Sequence, residues 1–178
     1  MNGAGKWTLE GAKTALRAFT EDDISTEYLR WLNDPVVVRL SNQRFQTHDR
    51  ATSLAYLESF RETDNLFVLV ALAGTSMPVG TLTAYVSQHH LTADVGIMIG
   101  ERSVWGQGVG LDAWVTLCNW LLKDRGLRKL TAGTLDCNYA MIRIMEKSGM
   151  VLEAVRRNQE LLDGEPHDIL HYARFRDA

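Results

Sequence analysis

Trp105-Gly106-Gln107-Gly108-Val109-Gly110 is the stretch on which the reading of this chain turns. An alternating apolar run, Leu91 to Ile99, precedes it, and a helix-patterned run, Leu111 to Lys123, follows. Glycines at every second position remove Cβ atoms from one turn, so backbone N–H groups can approach a ligand closely. The helix behind them adds unpaired N–H groups and the positive end of its dipole. Strand, glycine turn and helix start together make a site suited to a pyrophosphate. The spacing is neither the dinucleotide fingerprint G-x-G-x-x-G nor a P-loop, because no G-K-[ST] follows. Physically, the same turn also reads as a tight strand-to-helix connection without a ligand.

Working outward, Leu91, Ala93, Val95, Ile97 and Ile99 point one way, while Thr92, Asp94, Gly96 and Met98 point the other. Two apolar runs upstream, Asn65 to Ala73 and Val79 to Val86, are joined to it by short turns, which predicts an antiparallel meander. Downstream, the helix buries Leu111, Trp114, Val115, Cys118, Leu121 and Leu122, and Gly126 ends it. Lys129 to Leu135 returns as a strand; if it is a parallel crossover it is right-handed. Asn138 caps a further helix that buries Met141, Ile144 and Met145, with Gly149 at its C-terminal stop. Two last strands, Val151 to Asn158 and Asp168 to Phe175, flank a turn at Leu162 to Pro166.

In the first half, Lys13 to Phe19 reads as a strand. Thr20 is expected to cap a helix with Glu21, Asp22 and Asp23 in its first turn. That helix carries Ile24, Tyr28, Leu29, Trp31 and Leu32 and stops at Asn33-Asp34-Pro35. Val36 to Gln46 shows no clear period. Thr47 then reads as the cap of a second helix, on which Leu54, Leu57 and Phe60 share a face. The order β-α-α-β-β-β-α-β-α-β-β predicts a mixed sheet flanked by helices.

The 178 residues fit a single domain, 1–178, large enough to bury a core without staples. An apolar share of 46% is that of a globular protein, and a net charge of −3 without a long basic block argues against a nucleic-acid partner. Cys118 and Cys137 stand in no metal-ligand spacing, and one pair makes no disulfide framework, so no metal is expected. Both read as reduced thiols, Cys118 in the core and Cys137 just before a helix start. Met1 to Lys6 is glycine-rich with no apolar signal core, and no run approaches the ~20 apolar residues of a membrane span. A cytoplasmic location with no membrane partner is expected.

The element order, with its G-x-G-x-G turn before the central helix, resembles the GNAT superfamily of acetyl-CoA-dependent N-acetyltransferases. Asn138-Tyr139-Ala140-Met141-Ile142-Arg143-Ile144-Met145-Glu146-Lys147-Ser148-Gly149-Met150 is similar to that family's N-x-x-S-x-R-x-x-E-K-x-G-F helix. Glu160 to Asp168 is similar to the last hairpin of ribosomal-protein N-terminal acetyltransferases, and Trp31-Leu32-Asn33-Asp34-Pro35 matches the W-x-N-D-P of that branch. The implied fold is α/β (α+β): a mixed, mostly antiparallel twisted sheet flanked by helices. Three positions depart from the pattern. Trp105 stands where the glycine motif usually begins with Gln or Arg, Met141 replaces the serine, and Met145 falls where many members carry an acidic tyrosine hydroxyl.

The resemblance implies attack of a primary amine on the thioester of acetyl-CoA, with no metal. By position, backbone groups of Ile97, Met98 and Ile99 pair with the pantetheine arm, and one of their N–H groups polarises the acetyl carbonyl. Trp105, Gly106, Gln107, Gly108, Val109 and Gly110 form the pyrophosphate turn. Asn138 touches the arm or an ordered water, or serves as a plain helix cap; Arg143 reaches a phosphate or stays a solvated helix charge. An α-amine has a pKa of ~8 and a lysine amine ~10.4, so a base helps the second more. A leaving thiolate of pKa ~8.5 departs without a strong acid, so the methionines at 141 and 145 are tolerable. Glu160 is the expected general base and Asp94 the second candidate; His89, His90 and His167 read as turn histidines.

Acceptor choice is expected from the first two helices and the segment between them. Trp31, Arg44 and Phe45 are the candidate acceptor contacts, Arg44 for a phosphate or carboxylate and Phe45 for a flat ring. Trp31 to Pro35 followed by Ser41 to Phe45 looks like members that acetylate amino-sugar nucleotides. Three readings stand: acetylation of a small amine, best a nucleotide-linked amino sugar; N-terminal acetylation of a protein such as a ribosomal protein; and a CoA-binding domain without chemistry. The last hairpin is free to pack between subunits, which makes a homodimer compatible with all three.

Overall fold

The alternating run becomes the strand Thr92–Ile99 at the middle of an eight-stranded sheet. The computed structural model describes residues 7–176, so the stretch Met1 to Lys6 lies outside it. Strands are numbered β1 (Thr8–Glu10), β2 (Thr14–Ala18), β3 (Leu66–Leu72), β4 (Pro78–Ser87), β5 (Thr92–Ile99), β6 (Lys129–Leu135), β7 (Val151–Leu162) and β8 (Glu165–Phe175). They lie side by side in the order β1-β2-β3-β4-β5-β6-β8-β7. Every neighbouring pair is antiparallel except β5 and β6. Four α-helices flank the sheet: α1 (Thr26–Asn33), α2 (Arg50–Glu58), α3 (Val109–Lys123) and α4 (Tyr139–Lys147).

The two faces of the sheet bury two separate cores. Val68 and Val70 of β3 and Ala93 and Val95 of β5 pack with Trp114, Leu117, Cys118 and Leu121 of α3 and Met145 of α4. Phe67 and Leu69, the alternate residues of β3, pack on the opposite face with Tyr28, Trp31 and Leu32 of α1 and Phe60 beyond α2. Alternation along β3 therefore divides the helices between the faces. Trp114 is fully buried; its indole N–H donates to Ser148 Oγ at the end of α4, at 3.1 Å, and so links the two helices. Cys118 is in the core as expected, and burial pushes its thiol up to about 12.

Several boundaries move, each for a local reason. A short strand, β1, precedes the expected first strand and pairs with it. Thr20 caps a single 3-10 turn, Glu21–Asp23, rather than a helix; Ser25, whose Oγ accepts from Tyr28 N–H, starts α1. Asp49, not Thr47, caps α2, because its carboxylate accepts from Thr52 N–H and the Thr52 hydroxyl turns back to it. The buried stripe of α3 runs through Val109, Ala113 and Leu117, leaving Leu111 and Val115 half-buried. The last hairpin is longer than expected. Asp163 and Gly164 both take positive φ, 54° and 89°, so they form a two-residue turn and Leu161, Leu162, Glu165 and Pro166 become strand. His167 consequently lies on β8 and not in a turn.

Truncating Trp114→Ala removes the largest fully buried side chain and the donor to Ser148 Oγ, which keeps only its own bond to Met145 O; urea unfolding is expected to show a loss of about 3–5 kcal/mol. A second expectation concerns acid. Burial raises the Asp23 carboxyl, but Arg17 and the Thr20 N–H and hydroxyl outweigh it and hold it below the usual carboxylate range. A depressed folded-state value means stability that is present above about pH 4 and is lost as pH falls further. Asp23→Asn is expected to flatten that acid limb in pH-resolved thermal unfolding; an unchanged limb would remove Asp23 from the account.

Candidate active site

β5 and β6 run side by side only from Thr92 to Asp94, opposite Lys129 to Thr131. Beyond Asp94 no pairing joins them, whereas β5 stays paired to β4 as far as Ile99. The direction of the unpaired groups follows from two bonds. Arg128 N–H donates to Leu91 O on the β6 side, and Gly100 N–H donates to Val79 O on the β4 side. Because successive residues alternate, Ile97 and Ile99 direct their amides toward the open side and Met98 directs its own toward β4. The pairing expected of three consecutive residues therefore narrows to Ile97 and Ile99. Met98 instead sends its side chain into the core under α1 and α2.

The glycine turn closes one end of this opening. Gly106 and Gly108 have φ of 76° and 79°, the left-handed region, and Gly108 is the N-cap of α3. Gly110 is close-packed: a Cβ there would lie 3.3 Å from Ile144 of α4 and from Ile99 of β5, and those side chains would have to give by a few tenths of an ångström to admit it. The first bond within α3 is Asp112 N–H to Gly108 O, which leaves the amides of Val109, Gly110 and Leu111 ahead of the helical ladder. Trp105 has a structural task in the turn. Its indole N–H donates to Ile99 O at 2.8 Å, pinning the end of β5 to the turn. Gln107 points away, with its amide on Ser103 O.

A cavity of about 1250 Å³ runs from this turn across the sheet. Ile97, Met98, Ile99, Trp105, Gly106, Gly108, Val109, Gly110, Asn138 and Arg143 line one half. Asn138 also caps α4 through Met141 N–H, so both of its expected roles are geometrically open. The other half lies between α1, α2 and the last hairpin, and contains Asp94 and Glu160. Asp94 accepts from Thr131 Oγ1 at 2.7 Å; Glu160 accepts from Asn42 Nδ2 at 3.4 Å. Glu160 thus sits where the segment 36–46 meets β7.

The three expected acceptor contacts are placed elsewhere. Trp31 is 2% exposed and belongs to the core, its ring so close to Gly100 that a Cβ there would lie 2.2 Å away. Arg44 spends its guanidinium on Leu161 O and Asn42 Oδ1 and lies over Phe45, 4.2 Å from the ring centre. Phe45 is 71% exposed and outside the cavity wall. The 3-10 turn Asn42–Phe45 turns Asn42 and Gln43 inward and those two outward.

Other groups enter the wall that the sequence did not single out. Ser53 of α2 has a buried hydroxyl with no partner, and His171 of β8 a buried Nε2 with none. Tyr28 and Tyr56 stand on the acceptor half as well. Ser53 and Tyr56 share α2 and Tyr28 lies on α1, the two helices expected to choose the acceptor, whereas His171 comes from β8, far from both in sequence. Outside the cavity wall, His167 shares a 2.6 Å hydrogen bond with Asp136, which holds that carboxyl below its usual range. Cys137 completes a group whose ligand atoms lie within 4.8 Å of one another, a proximity invisible in the spacing of the sequence. His89 and His90 are exposed in the β4–β5 turn.

Residues 13–151 match the family model described as an acetyltransferase (GNAT) domain. The uncharacterized protein MJ1062 of Methanocaldococcus jannaschii is 24% identical over 141 residues, 79% of this chain; the chain spans 28% of that relative's length. Among solved structures, a GNAT-family acetyltransferase from Bacillus anthracis superimposes with a TM-score of 0.82 at 17% identity, covering 97% of this chain and 100% of that one. RimL, a ribosomal L7/L12 α-N-protein acetyltransferase in complex with coenzyme A, gives 0.85 at 17%, covering 97% and 99%. The microcin C7 self-immunity acetyltransferase MccE, in complex with acetyl-CoA and AMP, gives 0.76 at 16%, covering 92% and 93%. At those identities the structures share a fold with this chain. With the family model matching most of its length, the chain belongs to the GNAT acetyltransferase domain family.

Proposed function

We propose that this protein transfers an acetyl group from acetyl-CoA to the primary amine of a small polar acceptor, best matched by a nucleotide-linked amino sugar. The observation that carries the choice of a small acceptor is the covering of the acceptor half. Residues 36–46 reach the last hairpin through Arg39 to Asp163 (2.8 Å), Asn42 to Glu160 and Arg44 to Leu161 O (3.0 Å). A protein N-terminus would need an open groove there, with acidic groups for a basic terminus. Asp94 and Glu160 are the acidic residues of the wall, too few for a polyamine of several charges. Hydroxyl and amide groups of Ser41, Asn42, Gln43, Thr52 and Ser53 suit a hydroxylated acceptor, and Tyr28 and Tyr56 offer flat apolar surface. MccE, which shares the fold, forms a complex with acetyl-CoA and AMP.

The residues present fit acetyl-CoA. Ile97 and the Ile99 N–H offer the open edge of β5 to an extended arm, and the amides at the start of α3 meet a pyrophosphate. Acetyl-CoA supplies the activated acyl carbon and a thiolate leaving group. The chain then has two tasks. A cleft-facing N–H of β5 polarises the acyl oxygen, from a backbone fixed by β4 on its other edge. Glu160 takes the proton that the amine loses, leaving a protonated carboxyl and a neutral amide product. Asp94, held by Thr131, is the alternative base.

Glu160→Gln is expected to lower kcat about 100-fold while leaving CoA affinity intact. An unchanged rate and pH profile would remove Glu160 as the base. Free-thiol release from acetyl-CoA, measured over amino-sugar nucleotides, polyamines, antibiotics and peptides with basic free N-termini, tests the acceptor class. Turnover is expected with the amino-sugar nucleotides. Turnover confined to peptides would instead support N-terminal protein acetylation, and CoA binding without turnover on any acceptor would support a binding domain.

A further inference from the structure

The mechanism leaves one cation beside the glycine turn unused. Lys13, in the β1–β2 connection, donates from Nζ to Gln107 O at 2.5 Å and stands 3.4 Å from the Cβ position of Gly108. It is held there by α3 itself. One carboxylate oxygen of Asp112 accepts from Ala12 N–H at 3.0 Å; the other accepts from Lys13 N–H at 3.0 Å and from Thr14 Oγ1 at 2.7 Å. Gly11 makes that approach feasible, because a Cβ on it would fall 2.3 Å from the Asp112 carboxylate and 2.7 Å from Thr116 Oγ1. Thr14 is fully buried, and Ala73 N–H on β3's exit donates to Lys13 O, so the backbone carrying the lysine is fixed on both sides.

The electrostatics of the turn call for such a group. Asp112 places a negative charge in the first turn of α3, the same end that is expected to receive a pyrophosphate. Three donors consume that carboxylate on the side facing the β1–β2 connection, and the connection returns a positive charge to the turn. The other nearby cations are differently placed. Arg102 lies 3.6 Å from Asp34 and over the Trp105 ring, whereas Arg143 and Lys147 line the cavity from α4, and Lys13 and Gln107 stand outside its wall. Among the described residues, Lys13 is the one whose charged group bonds to the turn's own backbone.

We infer that Lys13 is a pyrophosphate ligand of the CoA site, positioned by Asp112 and released from Gln107 O to a phosphate oxygen when the cofactor binds. The inference rests on the acetyl-CoA reading above. In the free protein the ammonium is parked on a neutral carbonyl. A diphosphate bound at the amides of Val109 to Leu111 offers it a charged acceptor, and a charge-assisted bond is the stronger of the two.

Calorimetry with CoA and with dephospho-CoA tests this on the intact protein, without knowledge of the acceptor. Lys13→Gln keeps a donor for Gln107 O but loses the charge; Lys13→Arg keeps the charge. Lys13→Gln is expected to raise Kd about tenfold for both ligands equally, to lessen the salt dependence of binding, and to leave the thermal midpoint unchanged. Lys13→Arg is expected to restore affinity to within about threefold of the parent. A loss confined to CoA would assign Lys13 to the 3′-phosphate and overturn the pyrophosphate assignment. An unchanged Kd in Lys13→Gln, or a folded Lys13→Arg that binds no better, would overturn the inference outright. Failure of the parent protein to bind either ligand would instead overturn the acetyl-CoA reading.

Discussion

The parallel pairing between β5 and β6 lasts from Thr92 to Asp94 and then ends, and most of the architecture serves that ending. A parallel pair left open in mid-sheet exposes peptide groups that would ordinarily bond to a neighbour. Here β4 holds the other edge of β5 without a register shift, so the exposed groups of Ile97 and Ile99 are fixed in direction. Trp105 fastens the end of the strand by taking Ile99 O. The site is thus built from backbone that cannot relax toward β6, which is a precondition for stabilising charge without reorganisation.

The two cores explain how that opening is kept. On one face α3 and α4 pack against β5 and β6 from behind, joined through Trp114 and Ser148. Gly110 lets α3 approach both Ile99 and Ile144, which brings the helix start to the mouth of the opening. On the other face α1 and α2 pack over β3, with Met98 of β5 at the edge of that core, leaving Gly133 and Thr134 of β6 and Ile169 and His171 of β8 to face the cavity. Residues 36–46 then bridge to the last hairpin across that gap. One face gives the cofactor its turn, and the other gives the acceptor its walls.

Local chemistry was legible in the sequence, and distant juxtaposition was not. The β5 alternation, the glycine turn, the α4 cap at Asn138 and the Gly149 stop all depend on neighbours within a few residues, and all stand in the structure. Helix starts slipped where two capping residues competed, as with Thr20 against Ser25 and Thr47 against Asp49, because the side chain that reaches the N–H is decided by packing. Arg44 and Phe45 read as ligand contacts from the sequence because Arg44's long-range partner, Leu161 O, is 117 positions away and the 3-10 turn that sends both side chains outward leaves no mark in the spacing. Trp31 was misread for the same reason, since its neighbour is Gly100 across the fold. Lys13 and His171 carried no signal at all until β1–β2 met α3 and β8 met β6.

The central claim is that the cofactor arm completes the open edge of β5, and residue-resolved amide hydrogen exchange tests it most directly. Met98 N–H is already committed to β4, so its protection should be the same with and without acetyl-CoA. Ile97 and Ile99 N–H should exchange readily in the free protein and become protected, by about tenfold or more, when acetyl-CoA is bound. Protection at Met98 in place of its neighbours, or no change at Ile97 and Ile99 under saturating acetyl-CoA, would contradict the account.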